Sequence, residues 1–248
     1  MTVSEFSNGF DLLVNSYRRF KDFDNQELLD SIEFDEFEKS YYLTRAQEDL
    51  VVSLYNGKNS TGESFEQTEE LRRYLSTLVK EATLLPDSTI TFTGMSPTSK
   101  FFELPEDLWF ITYEAASTDD GTRCEGMGPM DVVPVTQDEY HKIKRNPFRG
   151  ANARRALRLD LSDGFVEVVS KYNISSYYVR YIEKLSPIVL VNLPNGLTVE
   201  GVGIVKECAL HEALHQKILE LAVLTALRSK GISMPSSRSG QRETTENR

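Results

Sequence analysis

The sequence predicts an α+β fold: an N-terminal helical layer, an antiparallel β-sheet with hairpins and a long C-terminal helix. Three observations carry that expectation. Residues 1–85 repeat apolar side chains at helical spacing with little β signal. At Pro86 the period changes, and short runs rich in Thr, Ile, Val, Tyr and Phe alternate between tight turns as far as residue 206. Residues 207–232 return to a helical period, and 233–248 is too poor in apolar side chains to bury a core of its own. The chain therefore divides into a helical region (1–85), a β region with a short helical insertion (86–206), a C-terminal helix packed on the core (207–232) and a polar tail (233–248).

Each element has its own local signal. In the first helix Phe6, Phe10, Leu13 and Tyr17 recur on one face after Ser4, the expected N-cap. A second helix covers about Asp35 to Tyr55, with Phe37, Tyr41, Leu50, Val51 and Leu54, and Asn56-Gly57 stops it. Ser64 and Gln67 fit a capping box for a third, which turns Leu71, Leu75 and Leu78 inward. "STITFTG" and "LWFITYEAAS" have strand composition. "VTQDEYHKIKRNP" predicts a short helix, begun by Thr136 with Glu139 and ended by Pro147. "RRALRLDLSDGFVEVVSKY" reads as a hairpin turning at Asp163-Gly164. "SSYYVRYIEKLSPIVL" supplies another alternating strand and "LPNGL" another turn. The last helix runs from about Ala209 to Arg228, with Gly231 after it.

At 248 residues, 40% hydrophobic and 27% charged, the chain suits one large domain or two small ones. Its net charge of −10 and pI near 5.0 argue against a broad basic face that grips nucleic acid. A negative wall can still line a channel through which DNA slides. No apolar run approaches the ~20 residues of a membrane span, and "MTVSEFSNGFDLL" lacks the basic and apolar regions of a secretory signal. Cys124 and Cys208 form no C-x-x-C pair and read as reduced thiols.

His211-Glu212-Ala213-Leu214-His215 spells H-E-x-x-H in a segment that reads as helix. Two histidines one turn apart can hold zinc while the glutamate polarises a bound water, which makes a zinc-dependent hydrolase the alternative reading. The third ligand is missing: Ile218 and Leu221 stand where the long metalloprotease form needs Gly and His, and Glu220 points off the ligand face. Glu243 and Glu246 lie in the polar tail, and His141 lies upstream. The helical wheel instead groups His211 and His215 with Leu214, Ile218 and Ala222 on an apolar arc. The preferred reading has no catalytic residue, no cofactor and no metal.

One stretch of the acidic chain is basic. "HKIKRNPFRGANARRALR" carries Lys142, Lys144, Arg145, Arg149, Arg154, Arg155 and Arg158, a candidate contact with an acidic patch on a partner. A solvated loop and strand face is the second possibility, and DNA phosphates the third. "EGMGPM" lacks the strand–glycine–helix context of a nucleotide site, and no nucleophile elbow accompanies the Ser, His and Asp residues. The paired acids of "FKDFDNQELLDSIEFDEFEK" lack calcium-loop spacing.

Several segments, in order, resemble virion structural proteins of tailed phages, particularly the crAss-like phages of gut Bacteroides. "FDLLVNSY", "FEKSYYLTRAQEDLVVSLYNG" and "FEQTEELRRYLSTLV" look like that family's opening helices. "FFELPEDLWFITYEAA", "LPNGLTVEG" and "LHEALHQKILELAV" continue the likeness. "VTQDEYHKIKRNPFRGANARRALRLD" is similar to its N-P-F-x-x-P-N block, with Ala151 where the pattern has proline. The resemblance covers residue 4 to about 228 and implies a ring or adaptor in the neck, or head-to-tail connector, at the portal vertex. It implies a closed homo-oligomeric ring of about twelve copies, seated between the portal protein and neighbouring neck or tail ring proteins. DNA would pass through the lumen without specific binding, and no membrane would be involved. The product would be made in the host bacterial cytoplasm and end in the virion, with 233–248 as an assembly arm ordered by its neighbours.

Overall fold

The computed structural model describes residues 1–18, 33–57, 68–89, 92–118, 128–194 and 196–231. In chain order its elements are α1 (Val3–Arg18), α2 (Glu36–Tyr55), α3 (Glu69–Leu75), β1 (Val79–Leu84), β2 (Lys100–Glu103) and β3 (Leu108–Thr118). There follow β4 (Met130–Pro134), α4 (Gln137–Ile143), β5 (Arg155–Asp160), β6 (Phe165–Val169), β7 (Ile174–Glu183) and α5 (His215–Ser229). The chain folds as two units, Met1–Thr77 with Leu185–Arg248, and Leu78–Lys184. The architecture is α+β, as the sequence predicts.

The first unit is built on helices. Helix α1 buries Phe6, Phe10 and Val14 and begins before the expected Ser4 cap. Thr2 does the capping: its hydroxyl accepts the Glu5 amide while the Glu5 carboxylate accepts the Thr2 amide, at 3.3 and 2.8 Å. Asp35 and Glu38 form the same reciprocal box at the start of α2. Thr68 caps α3, whereas the expected Ser64–Gln67 box lies outside the described residues. Helix α3 ends at Leu75 and passes through a single 3₁₀ turn, Ser76–Leu78, into strand β1. The helical reading to residue 85 is thus corrected. Lys80 and Glu81 mask the period-two pattern of that strand.

The inward face of α2 differs from its apolar pattern. Tyr41 is exposed, while Lys39, Ser40, Thr44 and Gln47 are buried beside Leu43, Ala46, Leu50, Val51 and Leu54. These polar groups have work to do on the segment after β7, which was expected to continue as strand but leaves the sheet at Glu183. Ser40 Oγ accepts the Leu190 amide at 3.0 Å, Thr44 Oγ1 accepts the Ile188 amide at 3.0 Å, and Gln47 Nε2 donates to the Ser186 carbonyl at 2.8 Å. A helix face here does for this segment what a neighbouring strand would do, so buried amides stay paired. Lys39 ties α1 to α2 through Asp11 and Glu36, at 2.7 and 2.8 Å. Burial pushes its ammonium down, but the two carboxylates more than offset this and hold its pKa raised.

The second unit is a seven-stranded sheet in the order β1-β7-β3-β4-β5-β6-β2. Strand β1 pairs antiparallel with β7, Val79 opposite Ile182. All other pairings are antiparallel except β4 with β5, which is parallel and bridged by α4. The sheet is thus antiparallel with hairpins, as expected, apart from that one parallel pair. "STITFTG", partly outside the described residues, holds no described strand, and "KFFE" forms the short edge strand β2 instead. Phe102 of β2 packs its ring against Tyr177 of β7 at 5.2 Å, although the two strands stand near opposite edges. The sheet therefore curls on itself and encloses Phe102, Ala116, Met130, Val166, Val168, Tyr177 and Val179. On the other face α4 buries Tyr140 and Ile143 against Leu157, Leu159 and Val169.

The β5–β6 hairpin turns where the sequence places it. Asp163 and Gly164 both have positive φ, 58° and 77°, the backbone of a primed turn. Gly164→Val should lower the unfolding free energy by on the order of 1 kcal/mol or more, since only glycine enters that region cheaply. Urea or thermal unfolding reads this directly; an unchanged midpoint would refute it. Among the described residues no helix is long and apolar enough to cross a membrane.

Candidate functional site

The basic stretch forms a lobe on the sheet unit. Thr136 caps α4 by accepting the Glu139 amide, and Tyr140 and Ile143 anchor the helix. The chain then folds over on its own polar groups. Asn146 Oδ1 accepts the amides of Phe148 and Arg149 at 2.9 and 3.1 Å, and Asn152 Oδ1 accepts that of Arg154 at 2.9 Å. Gly150 closes the turn. A Cβ there would stand 2.7 Å from the Asn146 carbonyl oxygen and 2.8 Å from that of Ile143, so no larger residue fits without moving backbone. Arg155 Nη1 donates to the Phe148 carbonyl at 2.9 Å.

This scaffold holds Lys142, Lys144, Arg145, Arg149 and Arg154 exposed. Arg149 pairs with Glu139 at 3.0 Å in solvent, where such a pair contributes little. At the tip stands Phe148, 84% exposed. The sequence reading named the charges and missed this ring. Its signal was present in "NPFRG", a large apolar residue in a turn between cations.

Arg158 is a correction. It belongs to the basic stretch in sequence but points into the curled sheet, where its guanidinium meets Glu114 at 2.9 Å. Its Nε lies 3.1 Å from Asp160 without hydrogen-bond geometry. Tyr177 donates its hydroxyl to the other Glu114 oxygen at 2.6 Å. Burial pushes the Glu114 carboxyl up, against the pull of Tyr177 and Arg158, and burial pushes the Tyr177 hydroxyl up as well, so it stays a donor. This buried triad holds the sheet together and is no surface contact. Arg155, half-buried and bonded to the lobe's backbone, is a positioning group within it.

The H-E-x-x-H lies only partly on a helix. His211 precedes a 3₁₀ turn, Glu212–Leu214, and its Nδ1 accepts the Ala213 amide at 3.2 Å. Helix α5 begins at His215. The expected shared face fails for the same reason: His215 is buried with Leu214, Ile218 and Ala222, whereas His211 and Glu212 are exposed. His215 Nε2 sits 2.9 Å from the Leu210 carbonyl, which can only accept, so that nitrogen carries the proton. The Met1 amine lies 2.6 Å from Nδ1. Both ring nitrogens are engaged, and among the described residues no three His, Cys, Asp or Glu side chains group as metal ligands.

Burial holds the His215 pKa below the ordinary imidazole value of 6.5, while the Leu210 carbonyl works in the other direction. Between the lowered value and 6.5 the unfolded chain binds more protons than the folded one. Stability should therefore be complete above pH 6.5 and decline as pH falls below it. His215→Gln should flatten that slope in urea unfolding followed between pH 5 and 8. An equal slope in wild type and variant would assign the effect elsewhere.

Comparison with known proteins follows the whole chain. The family model described as phage tail ring protein 3/4 matches residues 1–238. The chain is similar to "Ring protein 3" of Bacteroides phage crAss001, 45% identical over 237 residues, covering 93% of this chain and 96% of that protein. It is also similar to "Ring protein 4/5" of the same phage, 31% identical over 235 residues, covering 90% of this chain and 91% of that protein.

Proposed function

Because the chain belongs to the phage tail ring protein 3/4 family, we propose that it is a non-enzymatic virion structural protein. In this reading its copies close into a ring or adaptor at the portal vertex and neck, joining the capsid portal to the tail around the DNA channel. The full-length likeness to Ring protein 3 carries the proposal. The ring has about twelve copies, related by one heterologous contact repeated until it closes. Its neighbours are the portal protein and other neck or tail ring proteins. The net charge of −10 suits a lumen that lets DNA pass without holding it. The exposed cations Lys142, Lys144, Arg145, Arg149 and Arg154 serve as a partner contact. The segment 233–248, outside the described residues, acts as an assembly arm.

Electron microscopy of particles carrying a labelled copy of this subunit is the test. Label in a ring between capsid and tail is the expected result. Label scattered over the capsid shell, or confined to the distal tail, would refute the placement. Near one equivalent of zinc in protein purified without metal resin, lost in His211→Ala, would restore the hydrolase reading.

A further inference from the structure

We infer that the basic lobe between α4 and β5 is the knob by which one copy of this chain docks on an acidic surface of the next, with Phe148 as the anchor. The inference rests on the ring reading above and names the surface that closes the ring. Its first support is shape. Asn146, Gly150, Asn152 and Arg155 fix the turn through backbone contacts, so Phe148 is presented on a preformed support. Little ordering cost remains for a partner to offset. An aromatic centre rimmed by arginines is the composition that dominates protein interfaces, where the ring fills a pocket and the charges set register.

The second support is charge. Residues 141–155 hold six lysines and arginines and no acid, five of the six exposed, out of 28 basic and 38 acidic residues in the chain. The other 233 residues therefore carry 22 − 38 = −16. The lobe is the sharpest departure from the charge of its own surface, and a second copy offers it an acid-rich partner. A ring closed by heterologous contacts requires two different, complementary patches on each copy; the lobe supplies one of them. Duplex DNA would satisfy the cations, but it would take a phenylalanine only by unstacking a base step, so the aromatic tip favours a protein surface.

The test compares wild-type full-length protein with Phe148→Ser and with Lys144→Glu/Arg145→Glu, each first shown to unfold at the wild-type midpoint. Sedimentation and native mass spectrometry give the oligomeric distribution against concentration and salt. We expect wild-type assembly to weaken with added salt, and both variants to need about tenfold more protein to assemble. Lys217→Glu, on the exposed side of α5, should assemble as wild type does. Carbodiimide linking of mixed ¹⁴N and ¹⁵N protein should join Lys142 or Lys144 to a carboxylate of the other isotope. Variants that assemble like wild type would overturn the inference. So would variants that self-assemble normally but fail to retain duplex DNA or another ring protein. Particle images keep the two proposals apart. A ring that persists in phage carrying Phe148→Ser refutes the knob alone, whereas wild-type particles without a ring of this subunit refute the reading beneath it.

Discussion

Arg158→Met should cost about 3–5 kcal/mol of folding free energy, a large share of the roughly 5–15 kcal/mol by which native proteins are stable. The guanidinium and the Glu114 carboxylate are nearly removed from water, at 10% and 7% side-chain exposure. Deleting the cation strands a carboxylate in the curled sheet with only the Tyr177 hydroxyl to face it. Glu114→Gln/Arg158→Met removes both charges and lets the Gln carbonyl keep accepting from Tyr177. The double variant should therefore recover most of the loss, because an unpaired buried charge costs more than the pair contributes. Urea unfolding of the four proteins in this cycle gives the coupling directly. A single variant costing under about 1 kcal/mol would mean that Arg158 is solvated.

Thr44→Val should cost about 2–3 kcal/mol although it changes hardly any volume. The Thr44 hydroxyl accepts the Ile188 amide at 3.0 Å and shares its one proton between the carbonyls of Ser40 and Ile188, at 2.9 and 3.2 Å. The helix carbonyl already has its own ladder. The Ile188 amide, buried with its neighbours Val189 and Leu190, would have no replacement partner. Ser53→Ala on the same helix removes a hydroxyl that donates to the Leu50 carbonyl of its own helix and should stay within about 0.5 kcal/mol. Equal effects at both positions would remove the special role of the buried polar face.

The parts of this fold that were legible in the sequence are those settled by neighbours in the chain. Asp163-Gly164 announces its hairpin because the turn chemistry is complete within four residues. Thr136 beside Glu139 announces a helix start for the same reason. What escaped depends on distant partners. Strand β4, "MDVVP", is short and finds its parallel partner only beyond α4. Ser40, Thr44 and Gln47 look like solvent-facing residues until a segment some 140 residues later is laid on them. Arg158 shares a strand face with Ala156 and Asp160, so alternation alone cannot say which side meets water. Curling of the sheet decides that. The lobe was legible as charge but not as an aromatic tip, because the exposure of Phe148 follows from turns at Asn146, Gly150 and Asn152.

The sheet unit starts and finishes on hydrogen-bonded neighbours, β1 entering at Val79 opposite Ile182 near the exit of β7. Adjacent strands lie about 5 Å apart, so for the helices that precede and follow it in the chain, Leu78–Lys184 amounts to one very long loop with a pinched base. The entropy of closing a loop rises only slowly with its length. Recombination at two nearby points in space would thus exchange the sheet together with α4, without re-threading the helices of the first unit. In chain terms the subunit is a helical frame interrupted once, by a sheet that leaves it where it entered.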